Sequence, residues 1–200
     1  MTVYTKSYSA PEINKNEILR YAGVKEATTE ISALMEECLE LSLGAISYKV
    51  CYITLPIKHY SDCIDLGFAK TNSDSLRKNL DGCDTIVLFA ATLGSGLDRL
   101  ITRYGVISPS KAFMLQAIGA ERIEALCSVF NAEITGEAKA NGRISVPRFS
   151  AGYGDFPLEI QKDICNALDC QRKIGITLQK SLIMLPTKSV TAIIGIKNRR

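Results

Sequence analysis

The run Thr85-Ile86-Val87-Leu88-Phe89-Ala90-Ala91 constrains this chain more than any other stretch. It carries no charge and no alternation of apolar with polar side chains. A half-buried strand alternates, and a buried helix needs about ten residues or more. The run therefore reads as a strand covered on both faces. Covering both faces requires layers around it. With 200 residues, 46% of them apolar, the chain can supply those layers within one domain.

The flanking segments provide them. Asn16 to Tyr21 reads as a short helix that Gly23 ends. Thr28 or Thr29 caps a second helix, with a stripe at Ile31, Leu34, Met35, Cys38, Leu41 and Ala45. Residues 47 to 55 (SYKVCYITL) are β-branched and aromatic, so they read as a strand stopped by Pro56. Asp62 to Ala69 reads as one or two short strands broken near Gly67, and Asn72 or Ser73 opens a short helix to Leu80. After the central run, Leu97, Leu100, Ile101 and Tyr104 form a helical stripe closed by Gly105.

Ser108-Pro109 starts a helix expected to reach Phe130, with Met114, Leu115, Ile118, Ala125, Leu126 and Val129 on one side. Asn141-Gly142 turns the chain, and Pro157 begins a helix bearing Ile160, Ile164, Ala167 and Leu168. Lys173 to Leu178, Ser181 to Leu185 and Ser189 to Ile196 read as two or three strands of one sheet, joined by a strand from the N-terminal part. Helices and strands do not alternate strictly. The expected fold is α+β, a single domain over residues 1–200, with a mostly antiparallel sheet flanked by helices.

Charge and composition exclude several functions. A net charge of +3 is too small for a strongly basic nucleic-acid binder. No run of about 18 apolar residues is present, so no membrane span is expected. His59 is the only histidine, which removes metal sites needing two imidazoles. The seven cysteines include no C-x-x-C pair and sit mostly in apolar stretches, where they act as small hydrophobes. With a polar N-terminus, they point to a reducing cytoplasm.

Three places invite chemistry. The loop Thr92-Leu93-Gly94-Ser95-Gly96 joins a strand to a helix, a setting for phosphate binding, but it lacks the lysine of a P-loop and the third glycine of a dinucleotide fingerprint. Glu124 stands off the apolar side of its helix beside Ala117, Ala120 and Ser128, so a ligand has room to approach, although on helix geometry alone an ordinary solvated glutamate is the simpler reading. Arg148 to Pro157 (RFSAGYGDFP) combines a guanidinium, a tyrosine and two glycines. Arginine holds a carboxylate through paired hydrogen bonds, and glycines let the main chain approach a ligand closely. Such a loop suits an anionic ligand with a flat ring, and it also suits a plain turn into the next helix.

Arg148-x-x-x-Gly152-Tyr153 resembles the R-x-x-x-G-Y motif of the activation domain of cobalamin-dependent methionine synthase. Downstream, Lys173 to Leu178 followed by Ser181, Met184, Pro186 and Ser189-Val190 is similar to that family's C-terminal block. Upstream, Asp84 to Asp98 and the Ala-rich helix around Ala117 to Ala125 are similar to two more of its blocks. The resemblance covers residues 84–196 and leaves 1–80 divergent.

It implies a domain that binds S-adenosylmethionine and supports reductive reactivation in vitamin B12-dependent methionine biosynthesis, a methyltransferase component without a catalytic side chain or metal ligand of its own. Arg148 would hold the ligand carboxylate, Ser150, Gly152 and Tyr153 would line it, and Glu124 would meet its ammonium group. The partners implied are cobalamin-bound methionine synthase or another corrinoid module, carrying the oxidised cob(II)alamin, and a flavodoxin- or ferredoxin-type electron donor. No cobalamin segment is visible, so the expectation is a stand-alone subunit. The family's further ligand-contacting aspartate has no evident counterpart in residues 1–80, which keeps open a non-catalytic capping module with a vestigial pocket. An unrelated nucleotide-binding enzyme using TLGSG is the third reading.

Overall fold

The computed structural model describes residues 2–199. In chain order it begins with strand β1 (Tyr4–Tyr8), helices α1 (Lys15–Tyr21) and α2 (Thr29–Ser42), and strand β2 (Tyr48–Pro56). Three two-residue strands, β3 (Lys58–His59), β4 (Ile64–Asp65) and β5 (Lys70–Thr71), precede α3 (Asp74–Asn79). The apolar run becomes β6 (Thr85–Thr92), followed by α4 (Ser95–Ile107), α5 (Pro109–Ala140) and β7 (Arg143–Ser145). A single 3-10 turn at Leu158–Ile160 leads into α6 (Gln161–Ala167) and α7 (Cys170–Ile174). Strands β8 (Thr177–Leu178), β9 (Met184–Leu185) and β10 (Ser189–Asn198) complete the order.

Strand β6 is the middle of a five-stranded sheet ordered β1-β2-β6-β10-β7, and every pairing is antiparallel. Its side chains divide by the period of two that any strand has. Val87, Phe89 and Ala91 join a core with residues of α1, α2, α4 and α5. Ile86, Leu88 and Ala90 join a second core with Leu76 of α3, Phe156, Ile164 of α6 and Ile174 of α7. The uncharged run is thus explained: each of its two faces is interior.

Several boundaries differ from the sequence reading. Helix α4 runs through Gly105 to Ile107, because an exposed glycine costs a helix only about 1 kcal/mol and the stop comes at Pro109. Helix α5 continues ten residues past Phe130, since Ile134 and Ala138 repeat the buried spacing. In its middle, α5 is buried around much of its circumference, including Ala117, Gly119, Glu121 and Arg122. It packs on the sheet and against three other helices. Val129, expected on the buried side, is exposed. Helix α2 ends at Ser42, so Ala45 falls outside it, and Leu39 is buried where Leu41 was expected.

The C-terminal third needs the largest correction. Lys173 and Ile174 end helix α7, closed by Gly175 in the left-handed region, with the Ile176 N–H donating to the Cys170 carbonyl. Strands β8 and β9 pair only with each other, leaving β10 alone of the three predicted strands in the main sheet. The N-terminal part contributes two strands to it, β1 and β2. All seven cysteines are free, and five are buried. Among the described residues no helix is long and apolar enough to cross a membrane.

Candidate functional site

Glu124 lies midway along α5, one turn from Ala120 and one from Ser128. Small neighbours leave its carboxylate uncovered, and 43% of the side chain is exposed. Arg148 follows β7 on a stretch that β10 holds in place. The Phe149 N–H donates to the Ile193 carbonyl at 2.9 Å, and the Ile193 N–H returns to the Phe149 carbonyl at 2.8 Å. This extra rung brings Arg148 against α5, where its Nη2 donates to Glu124 Oε2. The two charges expected to hold opposite ends of a ligand therefore hold each other.

The loop beyond is built from left-handed glycines and two anchors. Gly152 has φ +88° and donates its N–H to the Phe156 carbonyl at 2.8 Å, while Phe156 donates back to Tyr153 at 3.0 Å. Gly154 has φ +56°, and a Cβ there would come within 2.6 Å of Ser75 Oγ. Phe156 is the apolar anchor, 1% exposed, its ring 6.3 Å from that of Phe149. Asp155 is the polar one. It accepts from Ser73 Oγ at 2.5 Å and from the backbone N–H groups of Asp74 and Ser75 at 2.8 and 3.0 Å, at the start of α3. The Ser73 hydroxyl and those amides hold its carboxyl well below the usual carboxylate range.

Glu124, Arg148, Ser150 and Tyr153 line one cavity of about 460 Å³. That volume lies in the range of small-molecule sites, roughly 300–1,000 Å³. Gly152 does not line it; its part is to turn the loop. Tyr153 is 68% exposed, leaving ring and hydroxyl available to a ligand. The remaining wall was not foreseen as site: Leu158, Gln161, Met184 and Ser189 to Thr191. Met184 and Ser189-Val190 belong to the C-terminal sequence block, which was the available signal. Cys127, one turn along α5, is buried, and burial pushes its thiol up to about 12, so it stays protonated and offers no nucleophile.

The TLGSG loop and the single histidine have structural roles. A Cβ at Gly96 would run into the Ala45 carbonyl oxygen, and one at Gly94 into Ser47 Oγ. Both glycines of TLGSG are thus required by the packing of the α2–β2 link. His59 Nε2 lies 2.8 Å from the Cys83 carbonyl, so that nitrogen carries the proton and donates a structural bond. Among the described residues there is no cluster of three or more side chains suited to a metal ion.

A larger, open trough of about 930 Å³ lies on the other side of Glu124, against α1. Its charged walls are largely committed: Arg20 pairs with Glu17, Lys15 with Glu36, and the buried Glu121 with Arg122. Arg122 also donates to the carbonyls of Pro11 and Glu12, and Glu121 accepts from the Asn14 N–H, which moors the N-terminal segment to α5. The smaller cavity is the one that brings Glu124 together with Arg148, Ser150 and Tyr153.

No family model matches this chain, and no curated protein does. Solved structures do match. One is a crystal structure of the MetH reactivation domain bound to AdoHcy, with a TM-score of 0.72 at 15% identity, covering 98% of this chain and 78% of that one. The chain has the fold of that domain, a curled antiparallel sheet flanked by helices.

Proposed function

We propose that this chain, with the fold of a MetH reactivation domain, binds S-adenosylmethionine in the cavity between Glu124 and the Arg148–Tyr153 loop. Its role is to support reductive methylation of cob(II)alamin on a separate methionine synthase, with the electron coming from a flavodoxin- or ferredoxin-type donor. The seven free thiols suit a reducing cytoplasm. The observation that carries the reading is the convergence of Glu124, Arg148, Ser150 and Tyr153 on one cavity of ligand size.

The donor set fits a zwitterionic adenosyl ligand. Arg148 would take the carboxylate and Glu124 the ammonium group, while Tyr153 and Ser150 would line the remainder, with Leu158 and Met184 as apolar wall. When bound, S-adenosylmethionine supplies the methyl group. This chain's own residues bind and orient it for a cobalt centre that the partner provides, and none of them needs to act as acid or base. Calorimetric titration with S-adenosylmethionine tests the reading. Arg148→Ala removes a charge-assisted bond worth about 1.5–3 kcal/mol, so the Kd rises roughly 10- to 150-fold. Absence of binding by the unaltered protein would overturn it.

One observation favours a second reading, a capping module for a corrinoid protein with a vestigial pocket. The direct Glu124–Arg148 pair leaves the site's two charges already matched. A protein of that kind takes up no S-adenosylmethionine and still associates with cobalamin-loaded synthase.

A further inference from the structure

We infer that the Glu124–Arg148 ion pair is a closed latch that admits only ligands bearing both an ammonium and a carboxylate group. The inference rests on the reading of this cavity as the site for the amino-acid tail of an adenosyl ligand. Both partners line the cavity, and they come from separate elements, α5 and the stretch after β7. Among the described residues, each has the other as its only ion-pair and side-chain hydrogen-bond partner.

A neighbouring ion pair, whose two residues both lie on α5, is held differently. Glu121 and Arg122 are almost completely buried and make three further bonds to the backbone of residues 11–14. Removing either would strand a buried charge, so that pair is fixed. Glu124 and Arg148 are 43% and 27% exposed and moor nothing else. An exposed pair of this kind contributes little to stability and exchanges its partners readily.

Exchange sets the specificity. A ligand with only a carboxylate would take Arg148 and leave Glu124 without a counter-ion, facing a second negative charge in the same cavity. A ligand with only an ammonium group would take Glu124 and strand Arg148. A zwitterion replaces both partners at once, so each protein charge keeps a counter-ion. Stranded charge is the repulsive element that turns singly charged ligands away.

Two measurements test the latch. The first compares the affinities of S-adenosylhomocysteine, its deaminated analogue with the carboxylate alone, and its decarboxylated analogue with the ammonium alone. In the unaltered protein both singly charged probes bind at least about tenfold more weakly than the zwitterion. In Glu124→Gln the zwitterion weakens and the carboxylate-only probe gains about tenfold or more. If the zwitterion binds but the substitution leaves the ranking unchanged, the latch is wrong and the adenosyl reading stands.

The second measurement does not depend on the adenosyl ligand. Sodium acetate is titrated while the Arg148 Nε–H resonance is followed by NMR. A saturable shift in Glu124→Gln and none in the unaltered protein supports the latch; equal responses overturn it. If no adenosyl probe binds either protein, the adenosyl reading fails and the acetate result alone decides the latch.

Discussion

On one side of the sheet, Val87, Phe89 and Ala91 lie beneath α1, α2, α4 and α5. On the other, Ile86, Leu88 and Ala90 lie beneath short helices and the loop that carries Tyr153. The helical side is held by apolar contact shared among many residues. The other side has a shared apolar core as well, but the loop that carries Tyr153 is tied to it at a few points: the Phe149–Ile193 rung, the Phe156 anchor and the Asp155 bonds to α3. Apolar packing is non-directional and redundant, whereas hydrogen bonds fix angle and position. The cavity draws on both, with Glu124 from the rigid helix and Ser150, Tyr153 and Leu158 from the pinned loop. A site built this way can adjust its loop wall without disturbing the helical one.

Four substitutions rank the two sides. Phe130, fully buried on α5 with its ring 4.8 Å from Phe89 and 5.2 Å from Tyr52, is the centre of the helical side. Phe130→Ala costs about 3–5 kcal/mol in urea denaturation, because closely packed neighbours cannot close the gap. Phe156→Ala falls at the low end of that range, about 3 kcal/mol, since a loop relaxes more easily than a helix. Equal losses from the two would erase the distinction between the sides.

Asp155→Ala comes third. The carboxyl group's pKa is depressed in the folded protein by Ser73 and the α3 amides. Its contribution is therefore present above the unfolded value of about 3.9 and is lost as pH falls towards the lower folded value. The Tm gap between the unaltered protein and the variant is widest above about pH 5 and narrows below about pH 4. A gap independent of pH would show that the loop is not pinned by charge. Arg148→Ala has the smallest effect, less than about 1 kcal/mol on stability, because its partner is exposed and solvated. A loss as large as that of Phe156→Ala would make Arg148 part of the scaffold and not only of the site.

The parts legible in the sequence were those with local signals. Thr85 to Ala91 declared a doubly covered strand by composition alone, and Ser108-Pro109 marked the start of α5. The R-x-x-x-G-Y loop announced its glycine turn, and four of the five residues named with it meet at the cavity. What escaped depends on distant partners. Strand β1, a polar Tyr-Thr-Lys-Ser-Tyr, is a strand because β2 offers an edge and Glu133 of α5 binds Lys6 and Tyr8. Nothing within those five residues says so. Ile174 and Ile176 mimicked the alternation of a strand, yet a left-handed Gly175 between a helix end and a buried return buries both equally well. The Gln161 and Thr191 walls were invisible for the same reason: they face the cavity only once α6 and β10 have been brought together.

The sheet order β1-β2-β6-β10-β7 also governs how the protein comes into being on the ribosome. The edge of β6 that β10 will occupy, Thr85 to Thr92, stays without its partner until residues 189–198 have been made. About 100 residues separate the two strands, and at about 5–20 residues per second their synthesis takes roughly 5–20 s. Throughout that interval the most apolar strand of the nascent chain offers an unpaired edge, the feature most prone to pairing with the wrong neighbour. Helix α5, made during the interval, can shelter one face of β6 but not its edge. Yield on expression should therefore respond to chaperone supply and to translation speed between codons 93 and 188 more sharply than the finished protein's stability would suggest.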